Sequence, residues 1–221
     1  VKYLTIALCF LFTSNLAGQF GLRTKYNVNN FGVLNEANLT SSDNILSSGF
    51  EIGIDYWFRL KDKRIEFYPE FSYNRATDQL TDSNSSPMKY DAFNFNLNTN
   101  IYFLDLSGDC DCPTFSKEGN TIDKGLHFIL SPGLNYYEFI GGINTADTSF
   151  GWNIGVGIGM DLGINDLLTV TPFSIFRYHP GYQWEATQSL NPPIENFNLS
   201  KIEIGLRIGL RTDYTKPRFG R

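Results

Sequence analysis

Nowhere after Gln19 does the chain carry an apolar run near the ~18 residues that a membrane-spanning helix needs, so a helical anchor is excluded. Lysine and arginine form no long basic run. With 18 of them against 23 acidic residues the net charge is −5, which speaks against nucleic acid as a partner. Histidine is confined to His127 and His179, and cysteine to Cys9, Cys110 and Cys112. Four ligands at a suitable spacing are missing, so no metal or other cofactor is expected. Linker-like stretches are absent too, and 221 residues at 42% hydrophobic suffice for one domain.

Residues 1–18 read differently from the rest. Lys2 gives a short positive start, Tyr3 to Phe12 an apolar core, and Leu16-Ala17-Gly18 a small-residue end before Gln19. This is a signal-peptide pattern, too short to span a membrane, and it leaves 19–221 as the mature domain. Cys9 sits in the apolar core without a lipobox, so no lipid anchor is expected there.

What is present in abundance is alternation. From Phe150 to Leu162, the residues Phe150, Trp152, Ile154, Val156, Ile158, Met160 and Leu162 fall on one parity. Gly151, Asn153, Gly155, Gly157, Gly159 and Asp161 fall on the other. Period two means a strand with two faces. A soluble sandwich hides its bulky face and rarely exposes a glycine face. A small membrane barrel does the reverse, with bulky apolar groups outward and small polar groups in a crowded lumen.

The same period marks Phe20 to Val28, Phe50 to Leu60, Ile65 to Tyr73, Phe93 to Phe103, Leu126 to Tyr136 and Ile202 to Leu210. A less regular strand runs from Leu167 to Tyr178. Forty positions on the apolar parity of the seven regular strands include no charge. The other parity holds Arg23, Lys25, Arg59, Lys201, Arg207 and Arg211, with Glu51, Asp55, Glu66, Glu70, Asp161 and Glu203. Arg or Lys on a lipid-facing side costs about 2–4 kcal/mol at mid-bilayer. Balanced charges within a paired, dry lumen are tolerable. The expected fold is therefore all-β, an eight-stranded antiparallel up-and-down transmembrane β-barrel. Its lumen should be filled by interlocked pairs among Arg23, Arg59, Arg207, Arg211, Glu51, Asp55, Glu66 and Glu70.

Connection lengths alternate. Lys61 to Arg64 and Gly163 to Asp166 are tight, whereas Asn29 to Gly49, Ala76 to Lys89 and His179 to Asn196 are long and polar. Short periplasmic turns and long external loops are the pattern of outer-membrane barrels. Asp105 to Gly125 breaks the pattern, being long on the short-turn side. Pro69, Pro132 and Pro172 lie within strands, where a bulge or edge is usual, and a bulge near Pro172 would account for apolar residues on both parities there.

With these strands placed, the chain resembles the PorT-type outer-membrane β-barrel family, and more broadly the small OmpX- and OmpA-like barrels. The resemblance is carried by Gln19-Phe-Gly-Leu-Arg-Thr-Lys-Tyr-Asn-Val28, by Tyr68-Pro-Glu-Phe-Ser-Tyr73 and Leu130-Ser-Pro-Gly-Leu-Asn-Tyr136, and by Glu203, Gly205, Ile208 and Leu210 of the last strand. It implies a Gram-negative outer-membrane location, with membrane lipid and the barrel-assembly machinery as partners. It implies little about activity, because the fold hosts many functions.

Candidate sites each have a plainer reading. His127 and Ser131 share an inner face, but four residues along a strand separate them by about 13 Å, too far for serine activation. No catalytic residue is assigned. Cys110 and Cys112 form a candidate disulfide in an oxidising compartment, strained by its tight ring. Tyr182, Trp184 and Glu185 in the last long loop are candidate contacts for a protein partner or ligand. Tyr56, Phe58, Trp152 and Tyr178 read as an interfacial girdle. The leading expectation is a surface or envelope structural or interaction protein, with a role accessory to secretion as what the PorT resemblance implies. Its alternatives are an outer-membrane lipid-modifying enzyme and a secreted lipocalin-like carrier, the latter requiring the apolar face inside.

Overall fold

A computed structural model describes residues 19–30, 46–60, 63–78, 88–106, 121–141, 145–164, 168–182 and 197–210. The expected signal segment, Cys110, Cys112, Trp184, Glu185 and Arg211 lie outside the described residues, as do the side chains of Arg59 and Tyr182.

The alternating segments all form strands. They are β1 (Gln19–Asn30), β2 (Ser48–Arg59), β3 (Ile65–Asp78), β4 (Met88–Ile101), β5 (Leu126–Gly141) and β6 (Thr145–Met160). After a break at Asp161 come β7 (Leu162–Gly163), β8 (Leu168–Tyr182) and β9 (Phe197–Leu210). Neighbours in sequence pair antiparallel, β9 pairs with β1, and β6 pairs with β8, which closes the sheet. Because β7 continues β6 along the same edge of β8, nine segments make eight staves. A short helix, α1 (Thr121–Gly125), ends the long β4–β5 connection.

The register fixes the barrel's shape. Stepping from Phe20 across Tyr56, Pro69, Leu97, Pro132, Ile154, Tyr178 and Ser200 returns to β1 at Asn30, ten residues farther along the strand. A stagger of ten over eight staves tilts them by about 40°, given ~3.3 Å rise and ~4.7 Å spacing. Eight strands at that tilt leave an interior that side chains fill.

Outward residues are apolar and exposed on every stave, among them Phe20, Ile54, Phe71, Phe95, Phe128, Ile158, Phe176 and Ile204. From Phe50 to Leu60 on β2 this belt spans ten residues of rise, or about 25 Å of height at that tilt, the thickness of a membrane barrel's apolar band. A lipocalin-like arrangement is thereby overturned, since the bulky parity faces out and the charged parity faces in.

Two expectations need correction. The irregularity near Pro172 is not a bulge. β8 keeps phase, with Thr169, Thr171, Phe173, Ile175, Arg177 and His179 buried and Phe176 and Tyr178 outward. Each proline holds its register while the ladder on one side goes unpaired, because proline has no N–H to give. The gaps fall between Asp55↔Glu70 and Phe58↔Phe67 at Pro69, and between Asn96↔Gly133 and Thr99↔Leu130 at Pro132. At Pro172 the gap separates Gly159↔Phe173 from Leu162↔Val170, and it is what divides β6 from β7. The alternation from Phe150 to Leu162 is therefore one stave but not one unbroken strand. The observed register shift lies at His179/Tyr182, beside Gly181, whose φ of 69° is left-handed and suits glycine.

Candidate functional site

Inside the barrel, β1, β2, β3, β8 and β9 point their charged parity at one another. Among the described residues the buried charges number twelve, six of each sign. Lys25 Nζ lies 2.7 Å from Glu51 and 2.7 Å from Glu70, and Lys201 lies 3.2 Å from Glu51 and 2.8 Å from Glu203. Arg177 closes this upper layer with its Nε 2.8 Å from Glu203. Its remaining N–H groups donate to Asn96, Asn153 and Ser131. Below, Arg23 and Arg207 both donate to Asp55, at 2.8 and 2.7 Å. Arg207 also stacks over the Tyr68 ring at 4.5 Å, and Arg23 over Phe173 at 5.2 Å.

The asparagine ladder of β4 serves these charges. Asn98 donates to Glu70 at 2.7 Å, Asn96 accepts from Arg177, and Asn100 meets His127 at 3.0 Å. A group in a low-dielectric interior needs its lone pairs and protons matched, which explains why charged residues here come with amides rather than alone.

Toward the tight-turn end the chemistry changes. Glu66 accepts from Trp57, Tyr68 and Tyr102, and Asp161 from Tyr102 and Thr171. Glu66 was expected in an interlocked ion pair; in the described contacts its partners are hydroxyl and indole donors. Above this cluster the buried trio Ile129, Phe173 and Ile175 forms an apolar plug. Gly157 faces Ile175 across the β6–β8 ladder, and Gly159 and Gly205 face Phe173. A Cβ on Gly205 would sit 2.7 Å from the Phe173 ring. The glycine parity of β6 thus exists to admit large side chains from β8.

Two residues were misplaced or missed by sequence reasoning. His179, expected to open the last loop, is fully buried inside the barrel. Arg177, the most connected cation of the upper layer, was overlooked because apolar Phe173 and Ile175 obscured the parity of β8; its spacing of six and eight from Thr171 and Thr169 was the available signal. His127 donates from Nδ1 to the Gly125 carbonyl and accepts at Nε2 from the Asn100 amide, while Ser131 Oγ accepts from Arg177. The pair is two separate lumen groups.

The outward surface ends in charge. Arg75 binds Asp91 through two bonds of 2.8 and 3.0 Å, and the Tyr73 hydroxyl donates to Asp91 at 2.7 Å. Tyr136, Trp152 and Tyr178 stand outward at the same long-loop end. Tyr56 and Phe58, expected in a single girdle with Trp152 and Tyr178, sit instead toward the tight-turn end of β2, paired with Phe20 and Phe67.

No protein-family model matches the sequence, and no curated protein matches it. Solved structures with a similar fold include Neisserial surface protein A, at 13% identity over 87% of this chain and 96% of that one, with a TM-score of 0.44. The attachment invasion locus protein Ail of Yersinia pestis aligns at 9% identity over 87% and 97%, with a TM-score of 0.42. The N-terminal β-barrel domain of Pseudomonas aeruginosa OprF aligns at 14% over 87% and 98%, with 0.41. The barrel of the present chain is defined by its own register and burial.

Proposed function

We propose that the chain is an outer-membrane β-barrel of a Gram-negative envelope, with a closed lumen and a structural or interaction role at the cell surface. The observation that carries this reading is the belt: every stave turns apolar side chains outward, while twelve charges are buried inward. Water would not stabilise such a surface, and lipid would. Outer-membrane fractionation with a heat-modifiable gel shift is the expected result. Recovery as a soluble monomer without detergent would sink the proposal.

The packed lumen favours a scaffold over a channel. Arg177, Lys25 and Lys201 with their carboxylates span the cross-section above the Ile129–Phe173–Ile175 plug. Planar bilayers should therefore record no stable, large conductance. The business end is then the long loops, carried on a rigid frame as binding segments commonly are. At the end of β8 and just after it, the sequence sets two aromatic residues, Tyr182 and Trp184, next to the acidic Glu185, the composition of a contact site. Replacing residues 183–196 by a tight turn should keep the barrel folded and lose a surface partner that the intact protein recovers. Retention of every partner would make the loop a passive cap.

A further inference from the structure

Above the charged layer the lumen turns from ions to amides. Asn27 on β1, Asn74 on β3, Asn94 on β4 and Asn153 on β6 all point inward, and none is more than 2% exposed. Part of this tier is tied down. Asn27 Nδ2 donates to Asn74 Oδ1 at 3.2 Å and to Glu51 at 3.4 Å, and Asn153 Oδ1 accepts from Arg177. The remaining ends find no hydrogen-bond partner in the protein. They are Asn27 Oδ1, Asn74 Nδ2, Asn153 Nδ2 and both polar atoms of Asn94. Single unmatched oxygens also occur lower on the β4 ladder, at Asn98 and Asn100, but among the described residues Asn94 is the one amide with neither atom matched. Burying such groups without partners is costly, so a tier of them calls for a ligand.

The surroundings shape a chamber. Gly49 lies opposite Asn27, and a Cβ there would stand 3.2 Å from Asn74 Oδ1. Gly151 lies opposite Asn135, the cross-strand neighbour of Asn94, and a Cβ there would stand 3.1 Å from Asn135 Oδ1. A side chain at either glycine would press on the amides. Overhead, Ala76, Tyr90, Ala92, Tyr137 and Phe139 continue the inward parities as a buried apolar ceiling, with Tyr90 5.0 Å from Phe139. Underneath, the three cations of the upper layer are matched by three carboxylates.

We infer that this tier binds a cluster of ordered water, held by Asn27, Asn74, Asn94 and Asn153 between the paired ions and the aromatic ceiling. The unmatched atoms select the ligand. Three are amide nitrogens and two are carbonyl oxygens, so the occupant must both accept and donate. A cation would face the nitrogens and an anion the oxygens, and neither finds a free counter-charge in the layer beneath. The unmatched ends do not bond one another, whereas a water with two donors and two acceptors bridges such groups. The lumen is thereby divided into a wet upper tier and the dry Ile129–Phe173–Ile175 plug. Such a tier needs only the closed barrel and is indifferent to what the loops bind.

The test uses the full-length, isotope-labelled barrel refolded in deuterated detergent micelles. Magnetisation transferred from water should reach the side-chain amide protons of Asn74, Asn94 and Asn153 with the sign of bound water rather than of proton exchange. Asn94→Leu removes both unmatched atoms without touching an ion pair. It should lower transfer at Asn74 and Asn153 and move the unfolding equilibrium about tenfold toward the unfolded state, because the waters lose a ligand. In a dry lumen the same substitution would stabilise the barrel by removing a stranded amide. No transfer from water to Asn94 in the folded parent, or a raised unfolding midpoint for Asn94→Leu, overturns the cluster and leaves the membrane reading intact. Cross-relaxation of Asn94 with a second amide in place of water overturns it in favour of direct pairing. Should Asn94→Leu not refold, the transfer measured on the parent decides alone.

Discussion

Two walls enclose the same lumen by opposite means. On β9, β1, β2 and β3 the inner parity is charged, running through Arg207, Glu203, Lys201, Arg23, Lys25, Glu51, Asp55 and Glu70. On β6 it is nearly bare, with Gly155, Gly157 and Gly159, and the space is taken by Ile175 and Phe173 of β8 and by Ile129 of β5. Long charged side chains fill volume only if each finds a partner, so that wall is specific and fails by leaving a charge unpaired. Glycines fill nothing, so the other wall depends on shape and fails by overpacking. The outward faces of the two walls are indistinguishable, because lipid asks the same of both.

The charged wall should break hardest. Glu203 is shared by Arg177, Lys201 and, at 3.8 Å, Lys25. Glu203→Gln takes the paired carboxylate from Arg177 and leaves Lys201 and Lys25 to Glu51 and Glu70, in a buried setting where removing one partner of a pair costs about 3–5 kcal/mol. Denaturant unfolding of the refolded barrel should register a loss of that size, and adding Lys201→Met should recover part of it by restoring balance. An unchanged midpoint for Glu203→Gln would mean that the network is hydrated and loosely held.

How much of this was legible depended on which side of the strand was being read. The outward parity was legible almost throughout, since Phe, Ile and Leu dominate it with few departures such as Thr24 and Thr99, and the stave from Phe50 to Leu60 was placed within a residue or two. The lumen was legible only where it is charged. Arg23, Lys25, Glu51 and Asp55 announce an interior by contrast with the belt. Phe173 and Ile175 do not, because an apolar plug inside a membrane barrel makes both parities of β8 look alike, and Arg177 was lost with them. Pro172 misled for a related reason: proline argues for a bulge, yet here the ladder simply skips one side. Arg64 donates to Asp105 and to the Lys124 carbonyl, 41 and 60 residues away, long-range contacts without local periodicity to reveal them.

Next in size is a test that should erase the difference between the walls. Ile54 on β2 and Ile158 on β6 both stand outward near the middle of the belt. Ile54→Arg and Ile158→Arg should each cost about 2–4 kcal/mol in lipid vesicles, with similar values despite the different lumen chemistry behind them. If one substitution is silent, that stretch of the belt faces water or a partner chain, and the symmetric picture of the outer surface is wrong.

The smallest effect should come from the glycine wall, and it has a built-in rescue. A Cβ on Gly155 would meet Ile175 Cγ2 at 2.9 Å, with the Arg177 guanidinium and Ser131 Cβ at 3.3 Å; all three are side-chain atoms. Gly155→Ala should therefore overpack the plug at a cost of about 1–3 kcal/mol rather than prevent folding. Ile175→Ala alone opens a cavity and costs about 2–5 kcal/mol. Combined, the new methyl group moves into the space that the isoleucine leaves, so the double variant should be more stable than the sum of the two losses by about 0.5–3 kcal/mol. The comparison of walls requires that coupling. Strict additivity would mean that Ile175 does not occupy the room left by the glycines, and the account of β6 as a wall shaped to receive β8 would fail on that result.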